Sequence, residues 1–192
     1  MMKTAIFASG SGTNAQRIVE YFRETASPVS VEVILSNNPH AYVLERAKMI
    51  QVPSRIFTRD EFYQSETILD ILHKQEVEYL ILAGFLWLIP ASLLKAYPDK
   101  IINIHPALLP RYGGKGMYGM KVHEAVIAAR EKESGISIHL VNEKYDEGKI
   151  LFQAKCPVSV DETPESLAAK VHQLEYRHFP EVIENFILGK KN

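Results

Sequence analysis

Two apolar patterns that alternate along the chain restrict its fold more than any other feature. Short runs rich in Val and Ile alternate with longer stretches in which apolar residues recur at helical spacing. Strands are predicted at 3–8, 30–35, 54–57, 79–83 and 101–104, and helices at 14–25, 41–51, 60–75 and 90–96. Strands joined through helices run parallel, and a parallel sheet is covered on both faces. The alternation therefore predicts an α/β fold, a Rossmann-like and mostly parallel twisted sheet with flanking helices.

The pattern changes after residue 110, where a glycine-rich loop begins. Predicted beyond it are a helix at 119–132, β-rich runs at 135–141 and 150–158, and a last helix at 163–188. The two β-rich runs flank a turn at Asp146-Glu147-Gly148, and so short a connection favours antiparallel pairing. Pro180 is expected to kink the last helix, because it lacks an N–H group. We therefore expect an antiparallel addition in the C-terminal half.

Composition and charge narrow the class of partner. The 192 residues are 46% hydrophobic, enough for one well-buried core, so a single domain over 1–192 is expected. A net charge of -1 offers no large basic field and favours a small-molecule partner over nucleic acid. The longest apolar run, 79–89, is too short to span a bilayer, and the start lacks the features of a signal peptide. Cys156, the only cysteine, fits a reducing compartment, so a cytoplasmic protein is expected.

A glycine-rich turn follows the first predicted strand, in F-A-S-G-S-G-T-N-A-Q at 7–16. Gly10 and Gly12 permit positive φ, and the helix that follows offers unpaired N–H groups at its positive end, so a phosphate or another anion is the expected ligand. The spacing from Gly10 to Ala15 also satisfies the loose dinucleotide pattern. That pattern needs a carboxylate after the second strand, where this chain has S-N-N-P at 36–39. A tight turn that binds nothing is the remaining alternative.

Polar side chains interrupt two apolar runs in the second half. In I-I-N-I-H-P-A-L-L-P, residues 101–110, Asn103 and His105 are two apart, so on a strand they point to one face. In G-I-S-I-H-L-V-N-E-K-Y-D-E-G, residues 135–148, a Ser and a His alternate in the same way and Asp146 lies in the turn. These groups are expected at the carboxyl edge of the sheet, where open α/β folds bind ligands.

Each group also has a plain structural explanation when it is taken alone. A lone buried His is more often a satisfied core residue than a catalyst, and an Asp before Glu-Gly is usually a turn former. The segment A-G-F-L-W-L-I-P at 83–90 could line a flat aromatic pocket or belong to the core. The two His and the Asp lack the short spacing of common zinc motifs, so no metal is expected.

Asn103, His105 and Asp146 together fit an acyl transfer without a covalent enzyme intermediate. An amine that attacks a carbonyl creates an oxyanion, which an Asn amide and a protonated His can stabilise. A neighbouring Asp favours the imidazolium and helps to move the proton off the attacking nitrogen. A nucleophile is not required, and no G-x-S-x-G elbow occurs in the sequence.

In their order along the chain, these segments resemble the folate-dependent formyltransferases. The resemblance rests on S-G-S-G-T-N, A-G-F-L, N-I-H-P-A-L-L-P and G-I-S-I-H-L-V-N-E-K-Y-D-E-G, and it extends from residue 3 to about 188. It implies transfer of the formyl group of the cosubstrate 10-formyltetrahydrofolate to the primary amine of glycinamide ribonucleotide, in de novo purine biosynthesis. It also implies a phosphate-binding half at about 1–100 and a folate-binding and catalytic half at about 101–192.

The resemblance implies a catalytic role for three residues and a binding role for others. Asn103 would orient the formyl oxygen and stabilise the oxyanion, His105 would be the general acid and charged donor, and Asp146 would keep His105 charged and assist proton transfer. The positions that match the substrate phosphate site are Gly12, Thr13 and Asn14, and the position that matches the ribose site is Glu175. The positions that match the folate site are Arg59, Leu86, Trp87, Leu88, Ile89, Asn103, Val141, Asn142, Glu143, Lys144 and Tyr145.

Two segments depart from the family pattern. Leu86-Trp87 stands where the family commonly has Met-Arg. The loop R-Y-G-G-K-G-M-Y-G-M-K-V-H at 111–123 is longer than the usual P-G-x-H-type loop, so the family's further active-site histidine has no unique match. His123 is one candidate, and a role for His139 stays open. The histidines without motif context, to which no role is assigned, are His40, His73, His172 and His178.

Related activities remain as alternatives. A sugar-nucleotide N-formyltransferase would use the same three catalytic residues and stays open. A methionyl-tRNA formyltransferase would carry a further carboxyl-terminal domain, and a formyltetrahydrofolate hydrolase a further amino-terminal one; neither is expected. A non-catalytic nucleotide-binding module would leave the three polar residues unexplained. Small-molecule partners and a monomer or homodimer are expected.

Overall fold

Strands and helices alternate through residues 1–190, the part of the chain that the computed structural model describes; residues 191 and 192 of the predicted domain lie outside it. The strands are β1 (Met2–Phe7), β2 (Val29–Ser36), β3 (Ser54–Ile56), β4 (Tyr79–Leu82), β5 (Ile101–His105), β6 (Glu133–Leu140) and β7 (Ile150–Pro157). The helices are α1 (Thr13–Glu24), α2 (Val43–Met49), α3 (Arg59–Tyr63), α4 (Thr67–Lys74), α5 (Ala91–Ala96), α6 (Met120–Ala128) and α7 (Pro164–Ile187).

These strands form one sheet in the order β3-β2-β1-β4-β5-β6-β7. The pairs among β1 to β5 are parallel, whereas β6 runs antiparallel to β5 and β7 antiparallel to β6. The predicted fold class is therefore confirmed, including the antiparallel addition. Within residues 1–190, no helix has the length and hydropathy needed to cross a bilayer.

Each face of the sheet buries its own apolar core, because successive side chains of a strand point to opposite faces. The first core, which includes Ile6 and Ile102, is covered by α1, α2, α6 and α7. The second core, which includes Phe7 and Ile101, is covered by α3, α4 and α5. All three of those helices precede β5 in the chain. The polar residues of β5, on the same face as Ile101, contact His139 of β6 and the loops that hold Tyr112 and Asp146.

One detail differs from the sequence predictions. The prediction of a single helix at 60–75 is wrong, because the segment forms two helices, α3 and α4. Ser65 separates them: its Oγ donates to Glu61 O at 3.1 Å and accepts from Thr67 N at 3.3 Å, which ends one helix and starts the next. The last helix continues through Pro180 as one element, α7, and starts with a capping box between Thr163 and Ser166.

Candidate functional site

A cavity of about 680 Å³ opens at the carboxyl ends of β1, β4 and β5. β1 and β4 are neighbours in the sheet, and the helices that follow them, α1 and α5, pack on opposite faces. A crevice forms at such a switch point, and ligands of open α/β sheets bind there. The lining consists of 9–14, 82–89, 103–106, 114–120, His123, His139, Val141, 144–146, His172 and Glu175.

The polar residues of β5 and β6 meet at one end of this cavity. The antiparallel pairing of the two strands sets His139 opposite Asn103 and Ser137 opposite His105. Asp146 lies between β6 and β7 with φ 57°, a left-handed backbone that costs energy in a residue other than glycine. The structure thus brings Asp146 to Asn103 across 43 positions of the chain.

His105 is 4% exposed and has a neighbour at each ring nitrogen. Nε2 lies 2.7 Å from the backbone oxygen of Tyr112, and Nδ1 lies 3.5 Å from Asp146 Oδ2. Because a carbonyl oxygen only accepts hydrogen bonds, Nε2 carries the proton. Asp146 Oδ2 also accepts the N–H of Gly114 at 2.9 Å, which ties the carboxylate to the start of the glycine-rich loop.

His139 orients the amide of Asn103. Nδ1 of His139 lies 2.9 Å from the backbone oxygen of Leu140 and is therefore the donor, which leaves Nε2 to accept from Asn103 Nδ2 at 3.0 Å. Asn103 Nδ2 also approaches Asp146 Oδ1 at 3.5 Å, a long contact. A ligand oxygen in the cavity can take over the N–H that makes this long contact.

Burial and nearby charges shift the pKa values of both His105 and Asp146. Burial lowers the pKa of His105 more than the nearby Asp146 carboxylate and the Tyr112 oxygen raise it. Burial raises the pKa of Asp146, but the nearby rings of His139 and His105 and the N–H of Gly114 outweigh it and bring that pKa below its ordinary value. The Asp146 carboxylate thus favours the charged form of His105, and burial opposes it. The catalytic roles of the two residues stay a prediction.

Ser137 holds the turn that follows His105. Its buried Oγ donates to Ala107 O at 2.7 Å and accepts from Leu109 N at 2.9 Å. Gln153 Nε2 on β7 donates to Ser137 Oγ at 2.8 Å and to Leu109 O at 3.1 Å. Ser137 has no predicted role, although its alternation with His139 is visible in the sequence.

The turn after β1 forms the other end of the cavity. Gly12 has φ 75°, and an added Cβ would lie 2.4 Å from Val43 Cγ2 and 2.7 Å from Val43 Cα, so only glycine fits there. Gly10, by contrast, has open space around a Cβ position. α1 begins at Thr13 without a side-chain cap, so its first N–H groups remain for a ligand. This geometry suits an anion.

α7 supplies a carboxylate beside this turn. Glu175 is 5% exposed, and it accepts from Asn14 Nδ2 at 2.8 Å and pairs with His172 Nδ1 at 2.9 Å. The hydrogen bond to Glu175 raises the pKa of His172 against the effect of burial. His172 has no predicted role, although a spacing of three places it on the helix face of Glu175.

The residues predicted at the folate site divide into two groups. Those that line the cavity are Leu86, Trp87, Leu88, Ile89, Asn103, Val141, Lys144 and Tyr145. Arg59, Asn142 and Glu143 lie outside this lining. Arg59 stacks on the rings of Tyr63 and Trp87, 5.0 and 5.6 Å from their centroids. Asn142 and Glu143 line an adjoining depression that shares wall residues with the cavity.

His123 lies on α6 beside the glycine-rich loop. It is 2% exposed and lines the cavity, and its Nδ1 finds no hydrogen-bond partner among residues 1–190. Burial and then the charge of His172 lower its pKa. In the same part of the chain, no group of three or more His, Cys, Asp or Glu side chains is arranged to hold a metal ion.

Comparison with known proteins decides the family. The family model described as formyl transferase matches residues 2–183. The chain belongs to this family. The resemblance inferred from the motifs is therefore confirmed. The matched residues include those that line both ends of the cavity.

Named relatives match 94% to 100% of this chain. Phosphoribosylglycinamide formyltransferase of Bacillus subtilis (strain 168) is 36% identical over 196 residues, which cover 100% of this chain and 97% of that protein. Glycinamide ribonucleotide transformylase 1 from Geobacillus kaustophilus has a TM-score of 0.88 at 35% identity, with 97% of this chain and 98% of that chain covered. The chloroplastic phosphoribosylglycinamide formyltransferase of Arabidopsis thaliana is 39% identical over 94% of this chain. The chain spans 64% of that plant protein and 60% of its counterpart from Vigna unguiculata.

Proposed function

We propose that this protein transfers the formyl group of 10-formyltetrahydrofolate to the primary amine of glycinamide ribonucleotide, which gives formylglycinamide ribonucleotide in de novo purine biosynthesis. The proposal is carried by one cavity with two chemically different ends. One end presents the uncapped turn at Gly12, with Glu175 beside it. The other presents Asn103, His105 and Asp146, which we name the catalytic group. The relative from B. subtilis is named for this activity.

The phosphate and ribose of the ribonucleotide are assigned to the first end. The phosphate is assigned to Gly12, Thr13 and Asn14, where N–H groups and the helix dipole favour negative charge. The ribose hydroxyls are assigned to Glu175, since a carboxylate accepts several O–H bonds and the bonds from Asn14 and His172 hold this one in place. The glycinamide arm then extends towards the catalytic group.

Reduced folate is assigned to the wall between the ends. Leu86 to Ile89, together with Val141 and Tyr145, offer apolar surface, which suits a flat pterin ring, and Lys144 lines the same wall. Arg59, held against Trp87, is assigned to the acidic part of the cosubstrate outside the cavity. Asn142 and Glu143 are assigned to the edge of the same site through the adjoining depression.

The catalytic group supports direct attack by the amine. A bond forms between the amine nitrogen and the formyl carbon, the bond from that carbon to N10 of the folate breaks, and one proton moves from the amine nitrogen to N10. Asn103 donates an N–H to the formyl oxygen as negative charge builds on it. His105 takes the proton from the attacking nitrogen and returns it to N10, while Asp146 stabilises the imidazolium between these events. The lowered pKa of His105 keeps a basic nitrogen available for the first of these events.

Two further histidines support this chemistry in the proposal. His139 positions the amide of Asn103, because it accepts one N–H of that amide and leaves the other for the formyl oxygen. His123 is assigned a polar contact with bound substrate, since a buried ring nitrogen that has no partner among residues 1–190 gains one when a polar ligand fills the cavity.

We place this activity in the cytoplasm, in a single domain over 1–192 that acts as a monomer or homodimer. The half at about 1–100 holds the phosphate, and the half at about 101–192 holds the folate and the catalytic group. The proposal includes small-molecule substrates and neither a nucleic-acid nor a membrane partner.

The decisive experiment is a formylation assay with 10-formyltetrahydrofolate and three acceptors: glycinamide ribonucleotide, an amino-sugar nucleotide and charged initiator tRNA. We expect product from the ribonucleotide and little product with the His105→Ala variant, because the general acid–base group is lost. Product from the amino-sugar nucleotide alone would move the assignment to the sugar-nucleotide N-formyltransferases. Product from the tRNA alone would refute the substrate assignment in the same way.

A further inference from the structure

The segment Tyr112–Gly114, where the glycine-rich loop begins, contacts both members of the His105–Asp146 pair. The backbone oxygen of Tyr112 accepts from His105 Nε2 at 2.7 Å, and the N–H of Gly114 donates to Asp146 Oδ2 at 2.9 Å. The two members are farther apart, with 3.5 Å between His105 Nδ1 and Asp146 Oδ2. Each member is therefore held more closely by this segment than by the other member.

We propose that Tyr112–Gly114 is a positioning element that fixes the His105 proton on Nε2 and leaves Nδ1 as the nitrogen that exchanges protons during the reaction. The inference rests on the proposed formyl transfer, since it names the atom of His105 that takes part. With the proton on Nδ1 instead, the lone pair of Nε2 would face the carbonyl oxygen of Tyr112 at 2.7 Å, which is repulsive. With the proton on Nε2, the proton of the attacking amine goes to Nδ1, beside the Asp146 carboxylate.

Tyr112 is anchored at its far end. Its Oη donates to Glu131 Oε1 at 2.7 Å, and Glu131, whose side chain is 16% exposed, also forms a salt bridge with Arg111. The Tyr112 ring packs on the first core, with the Arg111 guanidinium 5.5 Å from its centroid. The phenol thereby fixes where the backbone oxygen points.

The backbone around the pair is strained in a way that this anchor explains. Tyr112 has φ 56° and Asp146 has φ 57°, both in the left-handed region. Non-glycine residues keep such a conformation only where surrounding contacts hold them. Gly113 fits between the two: an added Cβ would lie 2.5 Å from Leu109 Cδ2 and 3.2 Å from Asp146 Cβ.

The charged and titratable groups around His105 come from four elements. Asp146 faces it from the loop after β6, His139 from β6, His123 from α6 and Glu175 from α7. The Tyr112 oxygen is the group at hydrogen-bond distance from Nε2, and this bond raises the pKa of His105. A loosened Tyr112 therefore lowers the pKa of His105 further and lets the proton redistribute between the ring nitrogens.

Nuclear magnetic resonance of the full chain with ¹⁵N-labelled histidine tests the proposal, because long-range N–H correlations report the tautomer and the titration of each ring. We expect His105 in the Nε2–H form at neutral pH, assigned by its absence in His105→Ala. Tyr112→Phe removes the hydrogen bond of the anchor, and Glu131→Gln removes the charge of its acceptor; both keep the side-chain shape. Both should give a mixture of tautomers and a lower titration midpoint, and kcat should fall about 3- to 10-fold, as for the loss of one hydrogen bond, with KM little changed.

Tyr21→Phe and Glu24→Gln are matched controls. Tyr21 also packs on the first core, with the Arg17 guanidinium 5.9 Å from its ring centroid, and Glu24 forms a salt bridge with Arg17. Neither residue lines the cavity, so both variants should leave the His105 tautomer, its titration and kcat unchanged. Circular dichroism should show that all four variants fold.

A wild-type His105 with its proton on Nδ1 would overturn the proposal. So would an unchanged tautomer and titration in both Tyr112→Phe and Glu131→Gln. The resonance measurement needs no substrate. A protein that keeps the Nε2–H form and responds to Tyr112→Phe, but does not formylate glycinamide ribonucleotide, would refute the proposed function and leave the positioning role standing.

Discussion

The two ends of the cavity are built by different means. The turn at Gly12–Asn14 joins β1 to α1, which are adjacent in the chain, and the groups that it offers are backbone N–H groups. The catalytic group draws on β5 and the loop after β6, and what it offers are side chains held by contacts across 43 positions. The first end should therefore respond most to a change in backbone shape, and the second to the loss of a functional group.

The largest effect is expected from removal of a member of the catalytic group. Asn103→Ala, His105→Ala and Asp146→Ala should each lower kcat by about 10²- to 10⁴-fold, as for loss of an oxyanion donor or a general acid–base group. Steady-state kinetics measure the loss, and circular dichroism should show a native fold. His73→Ala, at an α4 position outside the cavity lining, is the control. A His105→Ala enzyme with wild-type kcat would disprove the assigned mechanism.

A backbone change at the other end should act on binding and stability. Gly12→Ala places a Cβ 2.4 Å from Val43 Cγ2 at a position with φ 75°, so the free energy of unfolding should fall by about 1–3 kcal/mol. KM for the ribonucleotide should rise by about tenfold or more, in line with a lost charge-assisted hydrogen bond. Denaturant unfolding and kinetics measure both quantities.

Gly10→Ala is the matched control for stability, because a Cβ there meets nothing within 4 Å. Equal losses of stability in the two variants would show that the close approach of Val43 does not decide the shape of the turn.

Loss of one buried hydroxyl should have a smaller effect on the catalytic end. Ser137→Ala leaves the Leu109 N–H and the Ala107 carbonyl without their partner, which should cost about 1–3 kcal/mol of unfolding free energy. Ser134→Ala on the same strand is the control, since Ser134 Oγ is buried without a hydrogen-bond partner among residues 1–190. Thermal unfolding of both variants tests the difference. A loss in Ser134→Ala as large as in Ser137→Ala would contradict the role given to the Ser137 bonds.

The smallest effect is a difference in how pH changes stability. The pKa of His123 is lowered, so the unfolded chain binds more protons there and this residue reduces stability as pH falls below its ordinary pKa of 6.5. The pKa of His172 is raised by its bond to Glu175, so this residue adds stability below pH 6.5 that is lost as pH rises through its folded pKa.

Variants of these two histidines should therefore change the pH dependence in opposite directions. When pH falls from 7 to 5, the unfolding free energy of His123→Asn should decrease less than that of the wild type. The unfolding free energy of His172→Asn should decrease more than that of the wild type. Denaturant unfolding at the two pH values measures both. Shifts of the same sign in the two variants would contradict the opposite environments of the two rings.

The contrast between the two ends also explains which residues could be predicted. The place of Gly12 in the anion-binding turn could be predicted because β1, the turn and α1 follow one another directly. Residues that are close in the sequence are therefore also close in the fold. Ser137 was missed because its partner on β7, Gln153, is distant in sequence. His172 was missed although Glu175 is only three residues away, because the sequence does not show that Glu175 is buried beside Asn14 of α1. The split between α3 and α4 was missed because apolar spacing continues through it, while a single side chain, Ser65, ends the first helix.

The sequence by itself determined the layered α/β fold, the alternation of Asn103 with His105 and the glycine turn, since each depends on local periodicity or on a residue's own backbone freedom. Only the tertiary structure decided how these parts act on each other. The pairing of β5 with β6 set His139 against Asn103, and the Tyr112 oxygen and the Asp146 carboxylate meet opposite nitrogens of one buried ring. The proton position and charge of that ring depend on burial and on groups from several elements, which no single stretch of sequence contains.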